Sequence, residues 1–257
     1  MSSKDLHFDM RGNIAVIRLT RPAKRNALND ALILALRNQL ESLPAGVRAA
    51  VLCAEGEHFC AGLDLGELKE RDAGEGLHHS RMWHAALERV QYGPVPVIAA
   101  LHGAVVGGGL ELASACHIRV ADESTFYALP EGSLGIFVGG GGAVRIPRLI
   151  GVARMTDMML TGRVYHAADG ERIGLAQYLV PAAQAFDRAM ALAVRVAENA
   201  PLTNYALMHA LPRIAEQPAD HGFFTEALMA AVAQSAPEAK RRVKAFLDGK
   251  AAKVKKA

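Results

Sequence analysis

One six-residue stretch of this chain is apolar at every position, and it constrains the fold more than any other feature of the sequence. The stretch is Ala49–Ala54, which reads AAVLCA. A strand with one face in water alternates apolar and polar residues, so an uninterrupted apolar strand is one that is covered on both faces. Strands of this kind occur in parallel sheets that are flanked by helices. The stretch therefore predicts an α/β domain.

Other helix and strand signals alternate along the N-terminal part of the chain. Residues 13–20 (NIAVIRLT) are rich in β-branched side chains and predict a strand. Asn29 or Asp30 can cap the next segment, in which leucines recur at helical spacing. Val97–Leu101 and residues 117–121 are two further strand candidates. This alternation of strands and helices favours an α/β architecture.

The C-terminal part has a different composition. From about residue 185, alanine, leucine, methionine and arginine dominate, and strand-forming residues become rare. Two prolines interrupt helical patterns there, and Pro237 is placed to begin the last helix. We predict a core formed by residues 1–195 and a helical region formed by residues 196–257. The last eight residues carry four lysines, and we expect them to form a solvated tail.

The composition excludes several classes of protein. Hydrophobic residues make up 51% of 257, which supports a packed core, and the net charge of +3 is too small to indicate nucleic-acid binding by itself. Three cysteines without a CxxC motif suggest neither a disulfide framework nor a cysteine zinc site. The most apolar stretch, residues 95–116, contains Pro96, His102 and Glu111, and the N-terminus lacks a signal-peptide core. We therefore expect a cytoplasmic protein with no membrane partner.

Three consecutive glycines, Gly107, Gly108 and Gly109, follow the strand Val97–Leu101 and precede a helical pattern. Glycines at such a junction let a ligand approach the backbone, and the first turn of a helix presents unpaired N–H groups and a positive dipole end. An oxygen that gains negative charge would be stabilised there. Close packing of helix on strand without a ligand explains the glycines equally well. The spacing matches neither GxGxxG nor a P-loop.

A second candidate backbone donor lies in residues 59–65 (FCAGLDL). Ala61 and Gly62 predict a sharp turn, which could aim the N–H of Leu63 into the same cavity as the glycine cluster. The alternative is an ordinary loop in which Asp64 caps a helix, and this segment taken alone favours that alternative.

Two glutamates complete the pattern. Glu111 lies in the first turn of the helix that follows the glycines, and Glu131 lies between apolar runs. Burial among aliphatic groups disfavours the charged form and raises the pKa of a glutamate toward the working range of an acid or base. Either residue alone is better explained as a structural carboxylate. Together with two backbone donors, they indicate a catalytic pair.

These motifs resemble those of the crotonase (enoyl-CoA hydratase/isomerase) family. The resemblance extends from about residue 6 to residue 250 and implies a spiral of ββα turns that carries the active site, followed by a C-terminal helical part that drives trimerisation. It implies an acyl-CoA thioester substrate and a homotrimer or dimer of trimers. The segments that carry it are FCAGLDL at 59–65, HGAVVGGGLEL at 102–112 and PE at 130–131, with support from RPAKRNAL at 21–28, RIPRLIG at 145–151, LTGR at 160–163 and GL at 174–175.

The resemblance also implies roles for individual residues. The backbone N–H groups of Leu63 and Gly108 would hold the thioester carbonyl as it becomes an enolate. Because coenzyme A is part of the substrate, no separate cofactor is expected, and no metal. The residues that coenzyme A would pass are Lys24, Ala61, Asp64 and Leu65.

The two acid/base positions imply the type of reaction. Glu111 and Glu131 match the two positions that hydratases of the family fill with glutamate, whereas many isomerases keep only one of them. The resemblance therefore implies an enoyl-CoA hydratase, which is a carbon–oxygen lyase. Glu111 would take a proton from water as the oxygen attacks Cβ, and Glu131 would deliver a proton to Cα.

Some positions depart from the family pattern. Leu63 is bulkier than the usual alanine, Val138 stands where a proline is usual and Val144 where a glutamine is. The four-glycine segment 139–142 resembles a subgroup that includes (methylthio)acryloyl-CoA hydratases. That activity, a CoA-thioester hydrolase and an enoyl-CoA isomerase are therefore alternatives to simple hydration.

Residues 67–89 would border the acyl pocket in this family. We expect the histidines of this segment, His78, His79 and His84, to be solvated and Trp83 to be a core residue. No metal-binding spacing is present in the segment. A lysine-rich segment at residues 240–256 leaves an RNA-binding homologue as a further alternative. The low net charge and the lack of interleaved aromatic residues argue against nucleic acid as a partner.

Overall fold

The structure is a computed structural model that describes residues 4–67 and 69–250. Contacts divide the chain after Ala197 into two compact units. The strands are β1 (Leu6–Arg11), β2 (Ile14–Leu19), β3 (Ala49–Ala54), β4 (Val97–Leu101), β5 (Ala104–Val106), β6 (Ile118–Asp122), β7 (Phe126–Ala128), β8 (Tyr165–His166) and β9 (Tyr178–Val180). The helices are α1 (Asp30–Glu41), α2 (Ala73–Gln91), α3 (Gly108–Ala115), α4 (Gly142–Ile150), α5 (Val152–Thr161), α6 (Ala167–Ile173), α7 (Ala185–Ala197), α8 (Pro201–His209), α9 (Leu211–Ile214), α10 (Ala219–Ser235) and α11 (Pro237–Leu247).

A six-stranded sheet forms the centre of the first unit, with the strand order β1-β2-β3-β4-β6-β9. The β1–β2 pair is antiparallel, and every other pair in this sheet is parallel. All six residues of β3 are buried, as the apolar run predicts. Alternate residues point to opposite faces of a strand. Val51 therefore packs in a cluster with α7, and Leu52 packs in the main core with α1 and α2. The α/β class is confirmed.

Helix α1 begins where its sequence signal lies. Of the two candidate caps, Asn29 is the one used, because its side chain accepts a hydrogen bond from the N–H of Leu32. The buried face of the helix carries the predicted leucines, and Pro44 lies shortly beyond its end. The cap at Asn29 places the first turn of α1 beside the cavity described below.

The glycine cluster has a different setting from the one expected. It does not follow β4 directly, because β5 intervenes and belongs to a second sheet with the order β5-β7-β8. Gly103 allows this change of direction with a φ of +54°, and a Cβ on it would lie 2.1 Å from the carbonyl oxygen of Glu57. Val105 of β5 then forms a bridge with Cys60, which brings the two glycine-containing segments together.

The second unit contains α8 to α11. Pro201 begins α8 and Pro237 begins α11, each at the first helical turn, as expected of proline. The predicted lysine tail lies mostly outside the described residues, which end at Lys250. Among the described residues, no helix has both the length and the apolarity needed to cross a membrane.

Candidate active site

The first unit contains a cavity of about 820 Å³. Its wall is built from the segment after β3, the start of α1, one face of α2, the start of α3 and the segment that follows β7. Seven of the eight residues assigned roles in the sequence analysis fall in or beside this wall, and the eighth, Lys24, lies next to one of them. The assigned residues that line the cavity are Ala61, Leu63, Asp64, Leu65, Gly108, Glu111 and Glu131.

Two hydrogen bonds hold Leu63 in place from either side. The N–H of Leu28 donates to the carbonyl of Gly62 at 2.7 Å, and the N–H of Asp64 donates to the carbonyl of Leu28 at 2.8 Å. These bonds form a parallel bridge between Leu28 and Leu63. Gly62 has a φ of +100°, a conformation that favours glycine, and this is the sharp turn that the sequence predicts.

The amides of Leu63 and Gly108 lie close together. A Cβ added to Gly108 would sit 3.6 Å from the nitrogen of Leu63, and one added to Gly62 would sit 3.6 Å from the nitrogen of Gly108. Gly108 is the first residue of α3. Within the described chain, neither of these two N–H groups donates a hydrogen bond. Two adjacent donors therefore border the cavity, one of them at the positive end of a helix.

Glu111 is held by backbone amides from another segment. Its Oε1 accepts hydrogen bonds from the N–H groups of Gly140 and Gly142, both at 2.8 Å. Glu111 is 4% exposed, and burial raises the pKa of its carboxyl group. The two hydrogen bonds from backbone N–H groups and the nearby Arg145 oppose that rise. A Cβ on Gly142 would lie 2.8 Å from Cγ of Glu111, so only glycine fits there.

Glu131 occupies a less polar environment. It lies in a short 3₁₀ helix, Pro130–Leu134, and its Oε2 is buried with no hydrogen-bond partner among the described residues. Burial and, to a smaller extent, the charge of Glu111 raise the pKa of Glu131 to about 7. Burial raises the pKa of both carboxyl groups, and the hydrogen bonds from Gly140 and Gly142 oppose that rise at Glu111. Such unequal environments are typical of an acid/base pair.

The side assigned to coenzyme A contains a buried ion pair. Asp64 is 6% exposed and lies 3.0 Å from Nη2 of Arg21, while Nζ of the exposed Lys24 lies 3.9 Å from it. Asp64 also accepts a hydrogen bond from the N–H of Gly66. Asp64 therefore makes the local hydrogen bond expected of a capping residue and also lines the cavity. Lys24 lies just outside the lining.

Residues of α2 form the opposite wall, with side chains that the sequence analysis assigned to solvent or core. Trp83 is buried, but its Nε1 donates to Oδ1 of Asp30 at 2.9 Å. Nε2 of His79 lies 2.6 Å from the same oxygen, and Nη2 of Arg71 lies 3.8 Å from Oδ2. His79 therefore lines the cavity, hydrogen-bonded to Asp30, and is not a solvated side chain. Asp30 lies close to His79 and Trp83 because α1 packs against α2. No local sequence motif predicts this contact.

Comparison with known proteins shows the family to which this chain is related. The sequence profile of the family described as enoyl-CoA hydratase/isomerase matches residues 9–256. The 2,3-dehydroadipyl-CoA hydratase of Escherichia coli (strain K12) is 32% identical over 247 residues, which are 95% of each chain. The crystal structure of enoyl-CoA hydratase from Bacillus anthracis is 31% identical with a TM-score of 0.89, covering 96% of this chain and 97% of that one.

A second crystal structure is more similar. It is that of a Rhodopseudomonas palustris CGA009 protein assigned as an enoyl-CoA hydratase, and it is 60% identical with a TM-score of 0.94, covering 96% of this chain and 95% of that one. The fold expected from the motifs is confirmed by these similarities. The chain belongs to the enoyl-CoA hydratase/isomerase (crotonase) family and is an enzyme of the enoyl-CoA hydratase type.

Proposed function

We propose that this protein adds water across the double bond of an α,β-unsaturated acyl-CoA. The observation that carries the proposal is the combination, in one cavity, of two adjacent backbone donors with two buried glutamates in unequal environments. Family membership supports a hydratase in general, and these groups support the specific mechanism.

The donors act on the thioester. When the oxygen of water adds to Cβ, the electrons of the double bond move toward the carbonyl oxygen and an enolate forms. The N–H groups of Leu63 and Gly108 would hold that oxygen, and their alignment before reaction means that little reorganisation is needed. Loss of one such donor in other enzymes costs about 10²–10³-fold in kcat.

The glutamates divide the proton transfers between them. Oε1 of Glu111 accepts two hydrogen bonds from backbone amides, which favour the ionised form, and this carboxylate is proposed to take a proton from the attacking water. Glu131, whose pKa is raised to about 7, is suited to hold a proton and deliver it to Cα. The product is a 3-hydroxyacyl-CoA, and a proton returned from Glu111 to Glu131 through solvent restores the starting state.

Coenzyme A would pass Ala61, Asp64 and Leu65, with Lys24 at the edge, so it enters as part of the substrate and no separate cofactor is required. The acyl pocket has a polar wall on α2 and an apolar wall that includes Ile136. The alternative substrate is (methylthio)acryloyl-CoA.

Crotonyl-CoA hydration tests the proposal. We expect the wild-type enzyme to produce 3-hydroxybutyryl-CoA, and Glu111→Gln and Glu131→Gln to lose at least about 10²-fold in kcat. Glu123→Gln changes an exposed glutamate outside the cavity and serves as the matched control. Hydration at the wild-type rate by both cavity variants would contradict the mechanism.

Product analysis separates the rival reactions. A shifted alkene would indicate an isomerase, and free coenzyme A would indicate a thioester hydrolase. A panel of enoyl-CoA thioesters should include a methylthio-substituted member and 2,3-dehydroadipyl-CoA, the substrate in the name of the E. coli relative.

We also propose that the second unit mediates trimerisation. Its helices α10 and α11 expose large apolar side chains, among them Phe223, Phe224 and Phe246 at 70%, 68% and 60% exposure. Sedimentation velocity tests this proposal, since a monomer at micromolar concentration would contradict it.

A further inference from the structure

The segment Gly139–Gly142 presents two N–H groups to Glu111, and something must hold its peptide planes in that orientation. Glycines impose few restrictions on the backbone, so the segment does not fix its own conformation. In a trans peptide unit the C=O and the following N–H point in opposite directions. A group that holds a carbonyl on the outer side therefore aims the next N–H inward.

Ser80 holds the first of these carbonyls. Its Oγ donates a hydrogen bond of 2.6 Å to the carbonyl oxygen of Gly139. The same peptide unit carries the N–H of Gly140, which donates to Oε1 of Glu111 at 2.8 Å. Ser80 thus faces the opposite end of the peptide unit that binds the carboxylate, 59 residues away in sequence.

Arg145 holds the rest of the segment. The backbone N–H groups of Val144 and Arg145 both donate to the carbonyl of Gly141 at 3.1 Å, so the main chain of α4 itself aims the N–H of Gly142 toward Glu111, and the side chain of Arg145 holds the neighbouring carbonyl. Nη1 of Arg145 donates to the carbonyl of Gly140 at 3.0 Å, and its Nε donates to Oε1 of Gln91 at 2.6 Å. The side chain therefore links α4, the glycine segment and the end of α2.

The charge of Arg145 requires an explanation. The residue is 8% exposed, and it forms no ion pair with a carboxylate in the part of the chain that the structure describes. A buried cation without an anionic partner is costly unless a nearby negative charge compensates it. Glu88 and, to a smaller extent, Glu111 supply such charges at longer range, and the attraction between Arg145 and Glu111 favours the ionised form of Glu111.

We propose that Ser80 and Arg145 are positioning residues, which hold the glycine segment so that the amides of Gly140 and Gly142 keep Glu111 aligned and ionised as the base. The inference rests on the role proposed for Glu111. Ser80 acts through its hydrogen bond to Gly139, with Nε2 of His84 lying 3.3 Å from the same hydroxyl, and Arg145 acts through geometry and charge. The other titratable and charged groups that face this region are Glu131 from the 3₁₀ helix, Arg148 from α4, and Arg81, His84, Glu88 and Tyr92 from α2 and its end.

The pH dependence of kcat/KM for crotonyl-CoA tests this inference, because its acidic limb reports the ionisation of the base in the free enzyme. We expect Arg145→Gln to move the acidic limb upward by about one pH unit and to lower kcat, since the stabilising cation is gone. Ser80→Ala should move it in the same direction by a smaller amount. Arg148→Gln, which changes an exposed arginine on the same helix, should move it much less, because solvent screens that charge.

Two further variants keep the test decisive. Arg145→Lys retains the charge but cannot bond both Gln91 and Gly140, so the acidic limb should stay nearer to that of the wild type while kcat falls. This variant and Ser80→Ala provide the readout if Arg145→Gln does not fold. Folded variants with reduced kcat and an unmoved acidic limb would overturn the inference. Full activity of Glu111→Gln would instead overturn the proposed role of Glu111.

Discussion

The raised pKa of Glu131 predicts that the wild-type enzyme carries a destabilising charge at neutral and alkaline pH. The pKa rises from 4.5 to about 7 on folding, chiefly through burial. The folded state therefore binds a proton more tightly than the unfolded state does, and the stability of the wild type falls as pH rises between these values.

A rise of the pKa of Glu131 from 4.5 to about 7 lowers the free energy of unfolding at alkaline pH by about 3 kcal/mol at most. Water in the open cavity reduces this loss to about 2 kcal/mol. Glu131→Gln cannot ionise and should escape this loss. Relative to the wild type, we expect it to gain about 2 kcal/mol between pH 5 and pH 8. For a protein of this size, that is about 4–8 °C in unfolding temperature.

Thermal unfolding of both proteins at pH 5, 6, 7 and 8, in matched buffers and at matched concentration, measures the effect. The quantity to compare is the difference in unfolding temperature between the two proteins at each pH. The buried amide of the variant adds to this difference an amount that does not depend on pH. Glu123→Gln controls for loss of an exposed carboxylate. Parallel curves for the wild type and Glu131→Gln would refute the reasoning about burial.

Three other variants probe the site. Gly108→Ala would place a methyl group 3.6 Å from the nitrogen of Leu63, so kcat for crotonyl-CoA should fall by about 10²-fold with little change in unfolding temperature, and a normal kcat would contradict the oxyanion role. Trp83→Phe removes one donor to Asp30 and should lower stability by about 1–2 kcal/mol in urea unfolding, with no loss as the contrary result. Lys24→Ala removes an exposed cation, so KM for crotonyl-CoA should rise several-fold at unchanged kcat and stability, and an unchanged KM would remove it from the binding surface.

Local sequence signals predicted much of the sheet and the helices that flank it. The apolar run of β3 and the cap at Asn29 each depend on neighbours within a few residues, and both are confirmed. Strand β1 was not predicted, although Leu6, Phe8 and Met10 recur in it at the strand period of two. The three-residue strand β5 was missed because its strand character comes from pairing with distant residues.

Some residues of the active site also have local sequence signals, and others do not. Motifs placed Leu63, Gly108, Glu111 and Glu131 at one cavity, since each belongs to a turn or helix start with its own local signal. The contact of Ser80 with the glycine segment joins elements far apart in the sequence and has no local signal. A buried arginine in an amphipathic helix pattern also looks like any solvated one until the packing of that helix is known.

A crystal structure of the enzyme with bound 3-hydroxybutyryl-CoA tests the central claim most directly. We predict that the thioester oxygen accepts hydrogen bonds from the amides of Leu63 and Gly108, and that the 3-hydroxyl lies within hydrogen-bond distance of both Glu111 and Glu131. A thioester oxygen bound elsewhere, or a hydroxyl that contacts neither carboxyl group, would contradict the account.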